Sequence, residues 1–410
     1  MLKVCILTET YHPVIGGGET QARLLAEGLV ARGASVIVVT RRSDPALPRH
    51  ECYGDVAVHR LWPPGRGQLK KWGLLLSAGP ALLRLRGQYD IVFVSGFRIA
   101  GLAALVVARL LGKAVVLKAD SQGEMSGAFF EAGLARAKVP GFAELFRTFL
   151  KLRNAALRRA DAFVAITPEI AAEYAAAGIP GSSVRMVPNG VDTSRFEPLD
   201  AQSRAELRTR LGIDEAARVA VYTGRLVSYK GLPTLLRAWP DVLRAVPDAR
   251  LLLLGEGGLD IHNCEQQLRD QVKREGLGDS VTFVGAVSDV SPWLQVADVF
   301  VFPTENDAFP SSLVEAMACG LAVVTTPVGA IPTVVQAGET GLMVSPADSN
   351  GLAEALTRVF TDSGLSSRLG AAARQAALGK YSAAATTSRY LDLFQAVLQA
   401  PDGGKPRPAA

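Results

Sequence analysis

The stretch from Val299 to Val324 constrains the fold more than any other part of the chain. It reads VFVFPTENDAFPSSLVEAMACGLAVV. An apolar strand, Val299–Phe302, is followed by a polar loop, a helix predicted over Ser311–Cys319 and a second apolar strand, Leu321–Thr325. Pro310 stands where the helix starts, and the N–H that proline lacks has no partner at that position anyway. This order predicts a parallel α/β sheet.

The loop and first helical turn of this stretch predict a ligand site. Helix amides at the carboxyl end of a parallel sheet bind anions. Asp307 and Glu315 add carboxylates, which bind hydroxyls and not phosphates. The pattern therefore favours a sugar nucleotide, although an exposed helix glutamate and a turn-forming aspartate explain it equally well. The predicted contact residues of the turn are Phe309, Pro310, Ser311, Ser312 and Leu313.

Length and composition indicate a two-domain globular protein. The chain has 410 residues, which suits two domains of about 200 residues each. Hydrophobic residues make up 49% and charged residues 20%, as in proteins with a large core. The four cysteines are scattered and the four histidines lack metal-ligand spacing, so we predict neither a disulfide framework nor a metal site. This cysteine usage fits a reducing cytosol.

Charge and hydropathy limit where the protein is expected to be located and which partners it is expected to bind. The first residues have no secretory pattern, and the apolar run Ile99–Ala108 is cut by Arg109, which predicts a buried helix and not a membrane span. We therefore expect a cytoplasmic protein. Up to Phe196 there are 25 basic and 15 acidic residues, against 19 and 24 in the remainder. The basic half is the one expected to meet a phosphate-rich ligand or an anionic membrane.

A glycine-rich loop joins the first strand, Val4–Leu7, to a helix predicted over Glu19–Arg32. Gly16 and Gly17 let the backbone approach a ligand closely; the alternative is a loop that merely needs small residues. The dinucleotide pattern GxGxxG fails because Gln21 stands at the third glycine. A nicotinamide-dependent dehydrogenase is therefore disfavoured.

Two segments farther along the first half carry polar chemistry. Asp120 follows the strand Val115–Leu117, and Asp120 or Glu124 can bind hydroxyls of an acceptor or cap a turn. The segment 142–159 is a basic amphipathic helix, which can lie on an anionic membrane at its inner face or pack on the core with a solvated basic side. Its apolar positions are Phe142, Leu145, Phe146, Phe149 and Leu152, and its basic residues, placed largely elsewhere around the helix, are Arg147, Lys151, Arg153, Arg158 and Arg159.

The second half presents two cations and two glycine turns after predicted strands. Arg225 and Lys230 lie on the loop that follows the strand Val219–Tyr222. If that loop lies beside the anion site, both cations face a diphosphate and neutralise it without a metal. Gly255 and Gly285 end the next two predicted strands.

Four features in order resemble glycosyltransferase family four, the retaining GT-B enzymes. They are the glycine loop, the NGVD of Asn189–Asp192, Arg225 with Lys230, and Asp307 with Glu315 before AMACGLAVV. The resemblance implies an α/β GT-B fold, with two doubly wound parallel-sheet Rossmann-like domains facing across a cleft. The family signature has Glu at both ends, whereas here the first acid is Asp307. Many relatives have His where this chain has Asp120.

The resemblance also implies domain limits and residue roles. We expect an acceptor-side domain over residues 1–195, a nucleotide-sugar domain over 196–380, a helix over 381–400 that packs on the first domain, and a disordered tail over 401–410. Arg225 and Lys230 would hold the diphosphate, Glu315 the ribose and Asp307 the donor sugar. Gly16 and Gly17 would lie near the donor phosphate and the acceptor, and Gly255 and Gly285 beside the base.

The function implied is sugar transfer, with retention, from a nucleoside-diphosphate sugar to a saccharide or lipid-linked acceptor. We expect no cofactor, no metal and no nucleic acid partner; the donor would be a UDP- or GDP-sugar, and the product a cell-surface polysaccharide or glycolipid. Two alternatives stay open at this stage. They are a nucleotide-sugar epimerase on the same fold and a non-catalytic protein that binds sugar nucleotides.

Overall fold

The described part of the chain forms two α/β units. The computed structural model describes residues 1–14, 16–65, 68–128, 142–258 and 260–400, apart from the side chains of residues 68–72, 142, 143 and 145. Unit 1 comprises Met1–Gly190 and the chain from Ala383 onward, and unit 2 comprises Val191–Ser382. The predicted disordered tail, 401–410, lies outside the described residues. All four cysteines are free thiols.

Unit 1 is built on an eight-stranded sheet with the order β3-β4-β2-β1-β5-β6-β7-β8. Every neighbouring pair is parallel except β3 and β4, which are antiparallel. The central strands are apolar along nearly their whole length because helices cover both faces of the sheet. The strands are β1 Lys3–Thr8, β2 Ser35–Arg41, β3 His50–Tyr53, β4 Val56–Leu61, β5 Ile91–Ser95, β6 Ala114–Lys118, β7 Ala162–Ala165 and β8 Val184–Met186.

The final helix of the chain completes the core of unit 1. Tyr390 and Phe394 lie on it, and their rings are 5.2 and 5.7 Å from the ring of Phe93 in β5. Gly28 lies against Thr387 of the same helix. The helices of unit 1 are α1 Gly17–Val30, α2 Gln68–Arg84, α3 Phe97–Leu110, α4 Phe142–Leu157, α5 Pro168–Ala176 and, at the end of the chain, α14 Ala383–Gln399.

Unit 2 is built on a six-stranded, all-parallel sheet with the order β11-β10-β9-β12-β13-β14. The strands are β9 Arg218–Thr223, β10 Ala249–Leu254, β11 Val281–Gly285, β12 Val299–Phe302, β13 Ala322–Thr325 and β14 Leu342–Met343. The helices are α6 Ala201–Arg210, α7 Leu232–Ala245, α8 Glu265–Arg274, α9 Ser291–Val296, α10 Ser311–Ala318, α11 Ile331–Val334, α12 Ser349–Thr361 and α13 Ser363–Ala376.

Short polar side chains begin several of these helices, as their N-terminal amides require. Asp200, Asp348 and Asp362 each accept a hydrogen bond of 2.9 Å from an amide three residues on. At the start of α5, where Pro168 follows Thr167, the Thr167 hydroxyl accepts from the Ile170 amide at 3.3 Å. Three of these caps are aspartates, whose charge also suits the positive end of a helix.

The predicted parallel α/β fold is confirmed, with two corrections to its elements. The helix over Ile99–Ala108 is not wholly buried, because Val106 in α3 is 50% exposed. The helix α10 begins at Ser311, as predicted, with Pro310 as its N-cap, but it ends at Ala318, one residue before the predicted end. The chain passes from unit 1 to unit 2 after Gly190 and returns after Ser382.

Candidate active site

Three glycine turns meet where β9, β10 and β11 end in unit 2. The amide of Gly255 donates to the carbonyl of Gly285 at 2.8 Å, and the amide of Gly224 donates to that of Leu254 at 3.0 Å. A Cβ at Gly255 would lie 1.9 Å from the carbonyl oxygen of Gly224. Only glycine permits this approach, so the predicted Gly255 turn lies directly beside Arg225, and the Gly285 turn is hydrogen-bonded to Gly255.

The loop that carries the two predicted cations is anchored at Gly231. This residue has a φ of 71°, and a Cβ there would lie 1.8 Å from the carbonyl oxygen of Pro303. The amide of Glu305 donates to the carbonyl of Tyr229 at 2.8 Å. The loop after β9 and the loop after β12 are therefore joined through their backbones.

Lys230 and Asp307 form a close ion pair between these loops. The Lys230 Nζ donates to Asp307 Oδ2 at 2.6 Å and to the carbonyl of Asn306 at 3.3 Å. The two side chains are only 11% and 14% exposed. The ammonium also lies 5.2 Å from the centre of the Phe302 ring, within cation–π range. A partly desolvated ammonium of this kind interacts strongly with an additional anion.

Arg225 reaches farther into solvent than Lys230. Its side chain is 60% exposed, and its guanidinium donates to Asp260 and, at 2.7 Å, to the hydroxyl of Tyr229. The Tyr229 ring centre lies 5.9 Å from the guanidinium carbon and 5.5 Å from the Lys230 Nζ. Both predicted cations thus flank one aromatic ring.

The turn that starts α10 keeps part of its hydrogen-bonding capacity for itself. The Ser311 amide donates to the carbonyl of Phe309 at 3.1 Å, and the Leu313 amide donates to that of Pro310 at 3.1 Å. Among the residues that the structure describes, the Phe309 and Ser312 amides have no acceptor. These two amides could donate hydrogen bonds to an anion bound at this turn.

Glu315 lies in the second turn of α10 and is half-buried. Burial raises the pKa of Glu315 to about 7; the Arg195 guanidinium opposes this rise, and the Asp289 carboxylate adds to it. Within the described ranges, no ion pair or hydrogen bond joins its carboxyl to Lys230 or Asp307. The structure therefore joins Arg225, Lys230 and Asp307 in one network and leaves Glu315 outside that network.

In unit 1, Asp120 lies in a polar cluster at the carboxyl end of the sheet. Its carboxylate accepts from the ammonium of Lys118, which is 3% exposed, and from Ser95 Oγ at 3.1 Å. A Cβ at Gly18 would lie 3.5 Å from Asp120 Oδ2, and one at Gly96 would lie 3.0 Å from it. Asp120 therefore borders the glycine loop.

The two glycines predicted to contact ligand occupy the start of α1. Gly16 precedes the helix in an extended conformation, and Gly17 is its first residue. No atom within 4 Å would obstruct a Cβ at Gly17. The glycine of this loop that lies nearest Asp120 is the third one, Gly18, where an added Cβ would make only an ordinary contact with the Asp120 carboxylate.

Glu124, the other acid predicted in this segment, faces inward. It is fully buried, and its Oε1 accepts from the amides of Asp120 and Ser121 at 3.1 and 3.3 Å. Burial, together with the neighbouring Asp120 carboxylate, raises the pKa of Glu124 to about 7. Among the described residues, Glu124 thus caps the turn after β6, which favours the capping interpretation.

Four residues of these clusters had no role in the sequence analysis. They are Tyr229 and Asp260 beside Arg225, and Lys118 and Ser95 beside Asp120. Ser95 and Lys118 each end a parallel strand, which is a usable signal, since such ends meet at one edge of the sheet. Asp260 lies 35 residues from Arg225 and carries no local signal.

The basic helix, α4, departs from its prediction at Arg153. This side chain is buried and donates to the carbonyls of Glu124 at 2.7 Å and Arg98 at 3.2 Å, so it does not join the solvated basic side. Leu152, predicted on the apolar side, is 69% exposed. The predicted apolar positions Phe142 and Leu145 lie outside the described side chains. No helix in the described ranges is long and apolar enough to cross a membrane.

Comparisons with known proteins agree with this architecture. A family model described as Glycosyltransferase Family 4 matches residues 15–195, and one described as Glycosyl transferases group 1 matches residues 217–362. D-inositol 3-phosphate glycosyltransferase 1 of Catenulispora acidiphila is 30% identical over 392 residues, which cover 92% of this chain and 89% of the relative.

Solved structures match the same span of the chain. Sucrose-phosphate synthase from Thermosynechococcus elongatus has a TM-score of 0.77 at 23% identity, covering 97% of this chain and 99% of the other. Anabaena HepE in complex with UDP and glucose has a TM-score of 0.73 at 19% identity, covering 96% and 100%.

The fold and the matches together define a glycosyltransferase of the GT-B class. The chain belongs to glycosyltransferase family 4, the group 1 glycosyl transferases, as its motifs predicted. The family membership favours a glycosyltransferase over the two alternatives, an epimerase and a non-catalytic binding protein.

Proposed function

We propose that the protein transfers a sugar from a nucleoside-diphosphate sugar to a hydroxyl of a saccharide or lipid-linked acceptor, with retention at the anomeric carbon. The observation that carries this proposal is the partly buried Lys230–Asp307 pair, held by the backbone at the edge where the three glycine turns end. An ammonium and an acid side by side suit a ligand that presents phosphate and hydroxyls together.

The donor would bind unit 2 by its two ends. Lys230 and Arg225 would bind the diphosphate, assisted by the amides of the turn before α10. Asp307 would accept hydroxyls of the donor sugar, and Glu315 those of the ribose. Gly255 and Gly285 would border the base through their backbone. HepE, which has a similar fold, was solved in complex with UDP and glucose, and this supports a nucleotide ligand. UDP or GDP is the nucleotide proposed.

The acceptor would meet unit 1. Asp120 keeps its carboxylate oxygens fixed by Lys118 and Ser95, and the side chain is still 23% exposed. A fixed and partly solvated carboxylate accepts hydrogen bonds from sugar hydroxyls. We assign Asp120 to the acceptor side, where Gly16, Gly17 and Gly18 allow the acceptor to approach the backbone.

The chemical step needs no protein nucleophile in this proposal. The bond between the anomeric carbon and the leaving phosphate oxygen breaks, and the acceptor oxygen bonds to the same face of the sugar. The acceptor proton passes to a phosphate oxygen of the leaving nucleoside diphosphate. Lys230 and Arg225 stabilise the negative charge that develops there, which is the role a metal takes in other transferases.

Replacing Lys230 by methionine tests the donor assignment. A lost charge-assisted contact is worth about 1.5 to 3 kcal/mol, so transfer should slow about 10- to 150-fold. Thermal shift with UDP and GDP should show weaker stabilisation by the preferred nucleotide. Lys273→Met, in the exposed helix α8, is the matched control and should behave as the parent. Normal turnover by Lys230→Met would contradict the assignment.

Stereochemistry and metal dependence have separate tests. Proton NMR of the first-formed product should show the anomeric configuration of the donor, and an inverted product would overturn retention.

We propose that activity persists in EDTA, since Lys230 and Arg225 supply the positive charge. Loss of activity in EDTA that an added divalent cation restores would contradict this.

A lipid-linked acceptor implies contact with a membrane, and α4 is the element proposed for it. Arg147, Phe149, Lys151 and Leu152 are all exposed on this helix. Neighbouring basic and apolar side chains suit the interface of an anionic bilayer. The proposed location is the inner face of the cytoplasmic membrane.

A further inference from the structure

Unit 1 exposes apolar side chains along two neighbouring helices, α2 and α3. Leu76 is 73% exposed and Leu83 is 41% exposed on α2, and Leu110 is 75% exposed on α3. Val106 precedes Leu110 by one helical turn and is itself half-exposed. Monomeric globular proteins seldom leave large aliphatic side chains in contiguous groups, and such groups mark interaction sites.

The exposed residues form stripes because of their helical spacing. On α2, Leu76, Pro80 and Leu83 recur at intervals of four and three residues and are exposed. On α3, the partly exposed Ile99 and Leu102 continue the stripe of Val106 and Leu110. We call these residues the α2–α3 face.

The two stripes belong to one surface. A Cβ at Gly79 of α2 would lie 3.6 Å from the Val107 side chain of α3, so the helices pack side by side. A Cβ at Gly101 of α3 would lie 3.4 Å from Leu157 of α4. The α2–α3 face therefore adjoins the helix that exposes Leu152.

The charges around this surface are mostly positive. In the segments after α2 and α4, Asp90 and Asp161 pair with Lys113 and Arg109. Of the side chains described on α2, α3 and α4, Glu144 is the single acid. The exposed basic residues on these helices and in the segments immediately after them are Arg84, Arg86, Arg109, Arg147, Lys151, Arg158 and Arg159. Apolar side chains bordered by cations match the interface of a bilayer that contains anionic lipids.

We propose that the α2–α3 face inserts into the interface of an anionic bilayer together with α4. A second copy of the chain is disfavoured as the occupant, because two surfaces of the same positive sign would repel one another. The helices do not span, since α2 has 17 residues and α3 has 14 and a bilayer needs about 20. This inference rests on the membrane contact in the proposed function and extends it beyond α4.

Vesicle flotation with the full chain tests the proposal. The vesicles are phosphatidylcholine alone, and phosphatidylcholine with about 30% phosphatidylglycerol as the anionic lipid. The variant is Leu76→Gln/Leu110→Gln, and the matched control is Met186→Gln/Ile261→Gln, two residues that are 47% and 78% exposed elsewhere. All four sites are exposed, so the variants should keep the parent's circular dichroism and melting temperature.

We expect the parent and the control to float with the anionic vesicles, and the Leu76→Gln/Leu110→Gln variant to bind at least about tenfold more weakly. Ionic strength near 1 M should weaken binding by the parent, because the Debye length falls to about 3 Å. Equal binding by the parent and the Leu76→Gln/Leu110→Gln variant would overturn the proposal. A parent that stays with the aqueous phase, or that sediments as a dimer which the variant dissociates, would also overturn it.

Turnover with a soluble acceptor separates this inference from the proposed function. The Leu76→Gln/Leu110→Gln variant should retain the parent's rate with such an acceptor, because neither leucine is assigned to donor or acceptor binding. Weaker vesicle binding by this variant thus tests the α2–α3 face, whereas vesicle binding by the parent tests the membrane contact of the proposed function. A parent that binds vesicles but transfers no sugar to any acceptor would contradict the proposed function and leave this face supported.

Discussion

At Gly231 the backbone leaves no room for a side chain. The φ of 71° and the 1.8 Å from an added Cβ to the Pro303 carbonyl oxygen both oppose substitution. We expect Gly231→Ala to lower the free energy of unfolding by about 2 to 4 kcal/mol. Urea titration measures this loss of unfolding free energy. Gly278→Ala, where no atom lies within 4 Å, should change stability by less than about 1 kcal/mol. Equal effects of both would contradict the close approach.

Glu124 should make stability depend on pH. Its folded-state pKa, about 7, lies above the ordinary glutamate pKa of 4.5, so the folded protein holds this proton more tightly than the unfolded chain. The resulting stability is present below pH 4.5 and is lost as the pH rises through 7, a total of about 3 kcal/mol. Glu124→Gln stays neutral and keeps an acceptor for the amides of Asp120 and Ser121.

We therefore expect Glu124→Gln to exceed the parent in unfolding free energy by more at pH 8 than at pH 5. Denaturant titration at both pH values measures the difference. The exposed Glu354→Gln serves as the control and should give the same small effect at each pH. A Glu124→Gln effect that is equal at both pH values would show that the carboxyl titrates normally.

Individual site residues could be predicted from the sequence where several motifs follow one another in a known order. Sequence reasoning selected Arg225, Lys230 and Asp307, which the structure joins through Tyr229 and the ion pair, although their roles stay proposals. It placed Arg153 on a solvated side, since helical periodicity cannot show that backbone carbonyls from Arg98 and Glu124 converge on that guanidinium. Partners distant in sequence leave no periodic signal.

At the scale of elements, Asp298 ties the helix α6 to the strand β9. Its carboxylate accepts from Arg204 at 2.7 Å, Arg208 at 2.9 Å and the Val219 amide at 2.7 Å. Asp298→Ala leaves the buried Arg208 guanidinium without this partner, so we expect a loss of about 3 kcal/mol in unfolding free energy.

Guanidinium chloride titration measures the Asp298→Ala effect. The control is Asp241→Ala, which breaks the pair of Asp241 with the 76%-exposed Arg244 and should cost less than about 1 kcal/mol. A loss as small as the control's would show that water replaces the Asp298 carboxylate.

Periodicity predicted those elements whose burial is uniform. The strand β12 has the predicted limits, because its four residues are all buried and a polar residue and a proline bound this apolar run. The antiparallel pair β3 and β4 was not predicted, since the strand His50–Tyr53 has the composition of a loop. The helix α3 was predicted as buried because an apolar sequence does not show which side a neighbour covers.

The architecture of the whole molecule depends on the unit to which the final helix, α14, belongs. Composition predicted two domains, and the order of strands and helices predicted parallel sheets. The final helix reached unit 1 in our expectations only through the family resemblance, because an amphipathic pattern shows that a helix packs and not on which unit it packs. In the structure, Tyr390, Leu393, Phe394 and Val397 of α14 are buried in the core of unit 1.

The largest loss in that core should follow from Phe394→Ala. The Phe394 side chain is fully buried and lies 5.7 Å, between ring centres, from Phe93 of β5, so truncation removes about 3 to 5 kcal/mol from the stability of unit 1. Hydrogen exchange should show faster exchange of the β5 amides, while the β10 amides of unit 2 keep their protection, because each unit has its own core. Gln395→Ala, at an exposed neighbouring position, should change neither set. Equal acceleration in β5 and β10 would mean that the two cores unfold as one, and no acceleration in β5 would mean that α14 contributes nothing to unit 1.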